Sequence, residues 1–366
     1  MGSPYLRKCV ALGQGGIIGD TPSQSFQNNS AFFVDTGTQY ARLWADWPTL
    51  QPSSDPNLLG VKPGPFDILD SQVQAANAIG ISPVITIWRC PTWASGVTTN
   101  EPGTNKPPQR HTPAAVDANS PYIKFVGHLL TRYAGAAWSG SQGTALAIEL
   151  CNEPNYEMWP LYTSTGSDNI SCVVAQMISN AQAKHDGLGL SFPLLFAPGT
   201  SDSTANSASV MPYNTFTSNL LGILMDTLAF RPGNWIGWSH HNYNDIEGGL
   251  WGASRTQVVR SKLIAKGWTG TSGAPGEQPP LIYLTEGGAR LNAIPPPATT
   301  NQAVAILTAR DRLKNYADGN GVAMFSNYLF YSSPTFDSGL RDPFVSMTGG
   351  AARPAYTSVW KPMPSW

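Results

Sequence analysis

The sequence contains little charge and no long apolar run. Asp, Glu, Lys and Arg make up 12% of the 366 residues, and the formal net charge is −1, whereas an average soluble protein is about 25% charged. No basic stripe is visible, which argues against a nucleic-acid partner. No apolar run approaches the ~20 residues of a membrane-spanning helix. We therefore expect neither nucleic acid nor a membrane as a partner.

Cysteine and histidine are also scarce, at four and five residues. The cysteines show no C-x-x-C spacing, and no histidine has further ligands at the spacing of a metal site. We predict no metal and no cofactor. A disulfide between Cys90 and Cys151 and a pair of buried thiols are both compatible with the spacing.

Glycine and proline are abundant instead, with 36 and 31 residues. Together with many Ser, Thr and Asn residues, they predict a neutral polar surface. The stretch that follows Met1 has no apolar signal-peptide core, and Met-Gly-Ser resembles a cloning remnant, so it says little about the native compartment. We expect an extracellular or virion-associated protein that acts as a monomer.

Short apolar runs alternate with amphipathic stretches, the pattern of a parallel α/β fold. The predicted strands are Cys9–Gly13, Tyr40–Trp44, Ser82–Trp88, Thr144–Cys151, Pro193–Ala197, Trp235–His240, Leu281–Thr285 and Val322–Tyr328. The predicted helices between them are Phe66–Ile79, Tyr122–Tyr133, Cys172–His185, Phe216–Leu228, Thr256–Lys266 and Asn301–Tyr316. Eight alternations predict a (β/α)8 TIM barrel forming one domain over residues 5–362. A doubly wound sheet is disfavoured because no G-x-G-x-x-G loop follows the first strand.

Two glutamates follow predicted strands. Glu153 comes after Thr144–Cys151, and Glu286 comes after Leu281–Thr285. Burial makes a carboxylate costly at the end of an apolar strand unless the site uses it. Two such groups at the carboxyl ends of barrel strands fit the proton donor and nucleophile of glycoside hydrolysis. Two separate structural ion pairs are the alternative interpretation.

The motifs around these glutamates resemble those of the retaining glycoside hydrolases of clan A, most closely the family 39 type. The resemblance runs nearly end to end. It is carried by Asn152-Glu153-Pro154-Asn155, by Glu286 after its strand, by Ser239-His240-His241-Asn242-Tyr243, by Tyr40-Ala-Arg42-Leu-Trp44-Ala-Asp-Trp47, by Pro83–Trp88 with Pro91-Thr-Trp93-Ala94, and by Gly339-Leu-Arg-Asp342 with Arg353-Pro354-Ala355-Tyr356.

This resemblance implies a role for each matching residue. Glu153 would be the general acid/base and Glu286 the nucleophile. Arg42 would lie beneath the nucleophile, Tyr243 would donate a hydrogen bond to it, and Asn152 would hold the sugar 2-hydroxyl. The complete set of expected substrate-binding residues is Arg42, Trp44, Trp47, Trp88, Trp93, Asn152, Asn155, Trp159, His241, Tyr243 and Tyr328.

The aromatic residues and the eighth strand bear on the substrate. We expect about half of Trp44, Trp47, Trp88, Trp93 and Trp159 to line the cleft, because aromatic side chains often form pocket walls. Many clan members carry a tryptophan on strand eight, where this chain has Tyr328 instead. The sugar identity and the linkage are therefore left open.

We expect a retaining glycosidase that cleaves an oligo- or polysaccharide by double displacement. The second hypothesis is a catalytically weak carbohydrate-binding protein, for example one associated with a phage tail. A binding module gains nothing from a paired acid and nucleophile, which favours the enzyme. Endo and exo action, and pyranose and furanose substrates, are alternatives that the sequence leaves open.

Overall fold

The computed structural model describes most of the chain, and the strands that build the barrel all fall within that part. The described residues are 6–12, 29–60, 64–95, 119–156, 170–207, 210–249, 254–271, 279–295, 298–315, 321–333, 336–343 and 350–362. Trp159 lies outside these ranges. No helix among the described residues is long and apolar enough to cross a bilayer.

Eight parallel strands close into a barrel in chain order, with β8 paired to β1. This arrangement confirms the predicted fold class. The strands are β1 (Arg7–Ala11), β2 (Tyr40–Asp46), β3 (Ser82–Trp88), β4 (Ala147–Glu149), β5 (Leu194–Thr200), β6 (Ile236–His241), β7 (Ile282–Glu286) and β8 (Val322–Tyr328). Each predicted strand overlaps an observed one.

Helices lie between successive strands. They are α1 (Ser30–Thr36), α2 (Trp47–Leu50), α3 (Asp67–Ala78), α4 (Thr92–Ser95), α5 (Pro121–Arg132), α6 (Ile170–Leu188), α7 (Tyr213–Leu221), α8 (Tyr243–Gly248), α9 (Arg255–Ala265) and α10 (Ala298–Asn315). Ser120 starts α5 by accepting a hydrogen bond from the Ile123 amide at 3.2 Å. Gly80 and Gly267, just beyond α3 and α9, adopt φ values of +77° and +71°, which glycine allows without a steric penalty.

The apolar core has two parts. The larger part fills the space between the strands and the surrounding helices and includes the fully buried Trp47 and Trp238. A smaller cluster fills the barrel interior, where the ring of Phe196 stacks on Tyr283 with centroids 4.0 Å apart. Close packing at both levels fixes the strands that carry the site.

The interior changes from apolar to polar toward the carboxyl ends of the strands. Arg42, Thr86, Glu149, Ser239 and Thr285 come from five different strands and are joined by hydrogen bonds. Because these side chains contact one another across the barrel, they must point inward. Polar groups at this end of a parallel barrel are the usual foundation of an active site.

The fourth strand is shorter than the sequence predicts. Its ladder covers Ala147–Glu149 rather than Thr144–Cys151. The chain then bends: Asn152 rejoins β5 through a bridge with Gly199, and Glu153 adopts a φ of +39°. This bend turns Asn152 and Glu153 toward the open end of the barrel.

A lysine is buried at the other end of the barrel. Lys8 donates hydrogen bonds to the carbonyls of Thr36 at 2.6 Å and Trp360 at 2.7 Å, and its surface is 1% exposed. Burial, followed by the charge of Arg310, lowers the pKa of Lys8 to about 7. This side chain ties β1 to the first helix and to the last helical turn, Ala355–Trp360.

We predict that Lys8 makes stability depend on pH. Its folded-state pKa is about 7, and its unfolded value is about 10.4, so the unfolded chain binds more protons in that window. Stability should therefore rise with pH between these values. Lys8→Met removes this proton uptake and leaves both carbonyls without their donor. Chemical denaturation should show the variant less stable, by a margin that widens by about 1–3 kcal/mol from pH 7 to pH 10. A constant difference would contradict the prediction.

Candidate active site

Glu286 is the last residue of β7 and is 6% exposed. One of its oxygens accepts a hydrogen bond from Nη1 of Arg42. The other accepts a hydrogen bond from the Tyr243 hydroxyl at 3.0 Å. A cation and a hydroxyl thus donate to the two oxygens of one carboxylate, and these charge-assisted bonds fix the position of Glu286 at the end of its strand.

Glu153 lies beyond β4 and has different neighbours. Its backbone N–H donates to the Gly199 carbonyl at 2.8 Å, and its Oε1 lies 2.7 Å from Nδ1 of His241. The positive φ of +39° is uncommon for a residue with a Cβ atom. Such backbone strain persists where the surroundings enforce it, and it concentrates at functional sites. Within the described residues, Glu153 has no arginine partner, unlike Glu286.

The two carboxylates are close together. Single ligand atoms from Glu153, His241 and Glu286 all lie within 4.8 Å of one another. Catalytic carboxyl pairs are about 5–5.5 Å apart in retaining glycosidases and about 6.5–9.5 Å apart in inverting ones. The two carboxylates approach each other closely, as the shorter separation of the retaining class requires.

A third glutamate, which is not among the residues predicted for the site, lies beneath this pair. Glu149 is fully buried and accepts hydrogen bonds from Nε and Nη2 of Arg42 at 2.9 Å and 2.6 Å. Hydroxyls of Thr86, Ser239 and Thr285 donate to it at 2.5 Å, 2.6 Å and 2.7 Å. The signal was present in the sequence, because Glu149 is a carboxylate inside the apolar run Thr144–Cys151.

These contacts determine the charge state of the polar layer. Burial raises the pKa of Glu149, but the charges of Arg42 and His241 and the hydroxyl donors outweigh burial, so the net pKa is lowered. Burial lowers the pKa of Arg42, and the two carboxylates more than reverse that effect. Nη2 of Arg42 also donates to Oδ1 of Asn152 at 2.8 Å. Arg42 thus joins Glu149, Asn152 and Glu286 in one network.

The adjacent histidines have pKa values that are shifted in opposite directions. Burial lowers the pKa of His241, but the nearby charges of Glu286 and Glu153 raise it above its ordinary value. Burial, then the charge of His241, lowers the pKa of His240 to about 3, so His240 is neutral. Because side chains alternate along β6, His241 points into the barrel interior at the site and His240 points to the outer face of the sheet.

Gly199 leaves the space that the site needs. A Cβ atom at this position would lie 2.7 Å from Nε2 of His241 and 2.8 Å from Oε1 of Glu149. Both distances are shorter than van der Waals contact permits. The carbonyl of Gly199 also accepts the hydrogen bond that positions the Glu153 backbone.

Partly exposed aromatic side chains flank the carboxylates. Trp44 packs edge-on against Trp88 with ring centroids 5.7 Å apart, and its ring lies 4.5 Å from the Arg42 guanidinium carbon. Phe336 contacts both Tyr243 and Tyr328, with centroid distances of 5.3 Å and 5.2 Å. Phe336 lies in an irregular loop after β8, where no sequence pattern identifies it as a site residue.

Three other expected substrate-binding residues have structural contacts. Trp47 is fully buried and stacks on Phe125 with centroids 5.0 Å apart, so it is a core residue. Trp93 packs on Trp47 and donates through Nε1 to the Gln51 carbonyl at 3.0 Å. The fully buried Asn155 bonds to backbone groups of Ser201 and Met211. Neither Trp47 nor Asn155 has an accessible side chain, which corrects the prediction that they bind substrate. The same correction applies to Arg42 and His241, which are also fully buried and can act only through the carboxylates they contact.

Arginines near the open end of the barrel are paired with carboxylates. Arg89 forms a two-point ion pair with Asp46, and Arg290 forms one with Glu247 at 2.7 Å. Each pair neutralises a charge that would otherwise attract an anionic ligand.

Cys90 and Cys151 are buried free thiols, so the structure contains no disulfide between them.

The cluster of Glu153, His241 and Glu286 has the residue types of a metal site. However, Arg42 already donates to Glu286, and its buried positive charge opposes a cation at the same carboxylate. The donor set therefore fits a metal poorly, and the function proposed below uses none.

Comparison with solved structures identifies the fold. An endo-β-1,4-glucanase from Xanthomonas axonopodis pv. citri matches with a TM-score of 0.55 at 15% identity, covering 98% of both chains. A glycoside hydrolase family 5 subfamily 18 enzyme from Bifidobacterium longum, in complex with Manβ1-4GlcNAc, matches with a TM-score of 0.62 at 13% identity, covering 98% of this chain and 78% of the other. A family 39 enzyme from Xanthomonas axonopodis pv. citri matches with a TM-score of 0.57 at 15% identity, covering 98% of this chain and 65% of the other.

These matches show that the chain shares its fold with solved glycoside hydrolases of families 5 and 39. Their TM-scores are similar, so the fold itself does not favour family 39 over family 5. No protein-family model matches the chain, and no curated protein sequence matches it significantly.

We predict that Gly199→Ala disrupts the site. The added methyl group must displace His241 or Glu149, both of which are fully buried and cannot easily move. The free energy of unfolding should fall by about 1–3 kcal/mol, and any activity that depends on Glu153 should fall at least tenfold. Denaturation and kinetic assays would measure both effects. Gly60→Ala is the matched control, because open space surrounds that position. Equal behaviour of the two variants would contradict the prediction.

Proposed function

We propose that this protein is a retaining glycoside hydrolase in which Glu153 is the general acid/base and Glu286 is the nucleophile. The observation that carries the proposal is the geometry of two inward-facing carboxylates. One oxygen of each carboxylate lies within 4.8 Å of one oxygen of the other. Of these two carboxylates, Glu286 alone is bonded to an arginine among the described residues. This asymmetry suits one carboxylate that attacks and one that transfers a proton.

In the first step, a Glu286 oxygen bonds to the anomeric carbon while the bond from that carbon to the leaving oxygen breaks. Glu153 donates its proton to the leaving oxygen. In the second step, Glu153 accepts a proton from water, and the water oxygen displaces Glu286 from the anomeric carbon. Two displacements at one carbon retain the anomeric configuration.

The neighbours of the two carboxylates support these roles. Arg42 and Tyr243 stabilise the negative charge of Glu286 before attack. Once Glu286 is esterified, its charge disappears and Glu153 loses its proton more readily, as a base in the second step must. His241 contacts Glu153 at 2.7 Å and fixes the position of that carboxyl group. Asn152 stands beside Arg42, where a sugar hydroxyl at the reacting ring would meet it.

For the substrate, we propose an uncharged oligo- or polysaccharide. Trp44 and Trp88 on one side and Tyr328 and Phe336 on the other offer partly exposed aromatic surface for sugar rings. The pairing of the rim arginines with carboxylates disfavours an anionic glycan. The glucanase and the Manβ1-4GlcNAc complex among the similar structures support a carbohydrate ligand without identifying the sugar.

Replacing each carboxylate tests the proposal. Glu286→Gln should reduce turnover at least 10³-fold without loss of folding, because it removes the nucleophile.

Glu153→Ala should be slow on natural substrates, and azide should restore activity on an activated aryl glycoside by entering the space of the lost carboxylate. The product should be a glycosyl azide of retained configuration, identified by NMR. Glycan binding that survives both changes, with no sugar released by the wild type, would instead support an adhesion protein.

Tyr243→Phe should move the acidic limb of the kcat/KM–pH profile to higher pH. The tyrosine hydroxyl stabilises ionised Glu286, so its loss makes protonation of Glu286 easier. We expect a fall in kcat/KM of about tenfold at the optimum. Tyr133→Phe is the matched control, because Tyr133 also donates to a carboxylate, that of Asp70, but lies away from the site. An acidic limb that stays in place in Tyr243→Phe would contradict this role.

A further inference from the structure

Glu149 has more hydrogen-bond partners than either proposed catalytic carboxylate, yet it has no surface exposure. Its Oε2 accepts from Arg42 and Thr86, and its Oε1 accepts from Ser239 and Thr285. A carboxylate so enclosed cannot touch a substrate. Its path to the reacting groups is through Arg42.

Arg42 is also fully buried, and it contacts two carboxylates at once. With Glu149 and Glu286 both ionised, the three groups together carry one negative charge. Attack at the anomeric carbon, as proposed above, converts Glu286 to a neutral ester and gives its electron pair to the new bond. The group of three then has no net charge. Without Glu149, the same step would leave a buried, unpaired guanidinium, which is strongly unfavourable.

We propose that Glu149 is a positioning residue that serves as the permanent counter-ion of Arg42, so that Glu286 can lose its negative charge during the reaction. The inference rests on the proposed function and adds a requirement to it. Glu149 also orients the guanidinium, since Nε and Nη2 bind Glu149 and leave Nη1 directed at Glu286. The lowered pKa of Glu149 agrees with a carboxylate that stays ionised throughout.

The surroundings allow a neutral replacement without loss of hydrogen bonds. In Glu149→Gln, the amide oxygen at the Oε2 position still accepts from Arg42 and Thr86. The amide nitrogen at the Oε1 position can donate to the hydroxyls of Ser239 and Thr285, which rotate to act as acceptors. The Ser239 hydroxyl lies 2.7 Å from the Ala197 carbonyl, to which it can then donate. The variant should therefore fold.

Several titratable groups face this network, and the test must consider them. Cys9 on β1 and Cys151 after β4 are near Glu149, and burial raises the pKa of both thiols, so they stay neutral. His241 on β6 contacts Glu153 and lies near Glu286. Tyr243 and Tyr328 face Glu286, and burial raises the pKa of both phenols. Among the described residues, the other charged or titratable neighbours of Glu286 are Arg42, Glu153 and His241.

The experiment compares the pH profiles of wild type, Glu149→Gln and Ser239→Ala. Loss of the counter-ion leaves Arg42 to stabilise ionised Glu286 alone, so the acidic limb of kcat/KM in Glu149→Gln should move about 1–2 units to lower pH. The stronger attraction between Arg42 and ionised Glu286 also makes Glu286 a weaker nucleophile, so kcat/KM at the optimum should fall at least tenfold. Ser239→Ala removes one hydrogen bond to Glu149 but no charge, and its acidic limb should stay at the wild-type position. An unmoved limb in Glu149→Gln, or an equal shift in both variants, would overturn the proposal.

A readout without catalysis separates this proposal from the proposed function. NMR of protein labelled with ¹³C at the glutamate carboxyl follows Glu286 directly, with the signal assigned by its loss in Glu286→Gln. The titration midpoint of that signal should be lower in Glu149→Gln than in wild type. If the midpoint moves but wild type releases no sugar, the counter-ion role stands and the glycosidase function fails. If wild type is active and neither the limb nor the midpoint moves, the counter-ion role fails.

Discussion

The structure of the site depends on one buried guanidinium. Arg42 is removed from water and is stabilised by the carboxylates of Glu149 and Glu286 and by the amide oxygen of Asn152. A buried cation is tolerated only when its partners and hydrogen bonds replace the lost water. That requirement fixes the inward-facing residues of β2, β4 and β7 together. Glu286 is thereby held against Arg42, while Glu153 lies one bend beyond the network and contacts His241 instead.

The barrel makes this arrangement possible from residues far apart in the chain. Arg42 and Glu286 are 244 positions apart in sequence, yet closure of the sheet brings the ends of their strands to one face. The apolar cluster in the barrel interior holds the strands in register. The charged side chains lie in the polar layer at the carboxyl ends of the strands. The packing around Gly199 is especially close. This residue leaves room for the side chains of His241 and Glu149, and its carbonyl accepts the hydrogen bond from the Glu153 backbone.

The sequence predicted the fold, and it singled out Glu153 and Glu286, which the structure places close together, because strands and strand-end carboxylates leave local signals. Ser82–Trp88 and Val322–Tyr328 were predicted with the bounds that the structure has, and Gly80 and Gly321 lie just ahead of these two runs. Glu149 was overlooked, although a carboxylate within an apolar run was visible. Trp47 was assigned to the cleft because it follows a strand, but α2 turns its ring into the core against Phe125. Phe336 could not be found, since its place depends on the path of an irregular loop.

The central claim is that Glu153 and Glu286 act as a retaining pair. The most direct test is the anomeric configuration of the first sugar released from a glycoside that the protein cleaves, followed by ¹H NMR before mutarotation. The short separation of the two carboxylates predicts a product with the configuration of the substrate. A first product of inverted configuration would contradict the account.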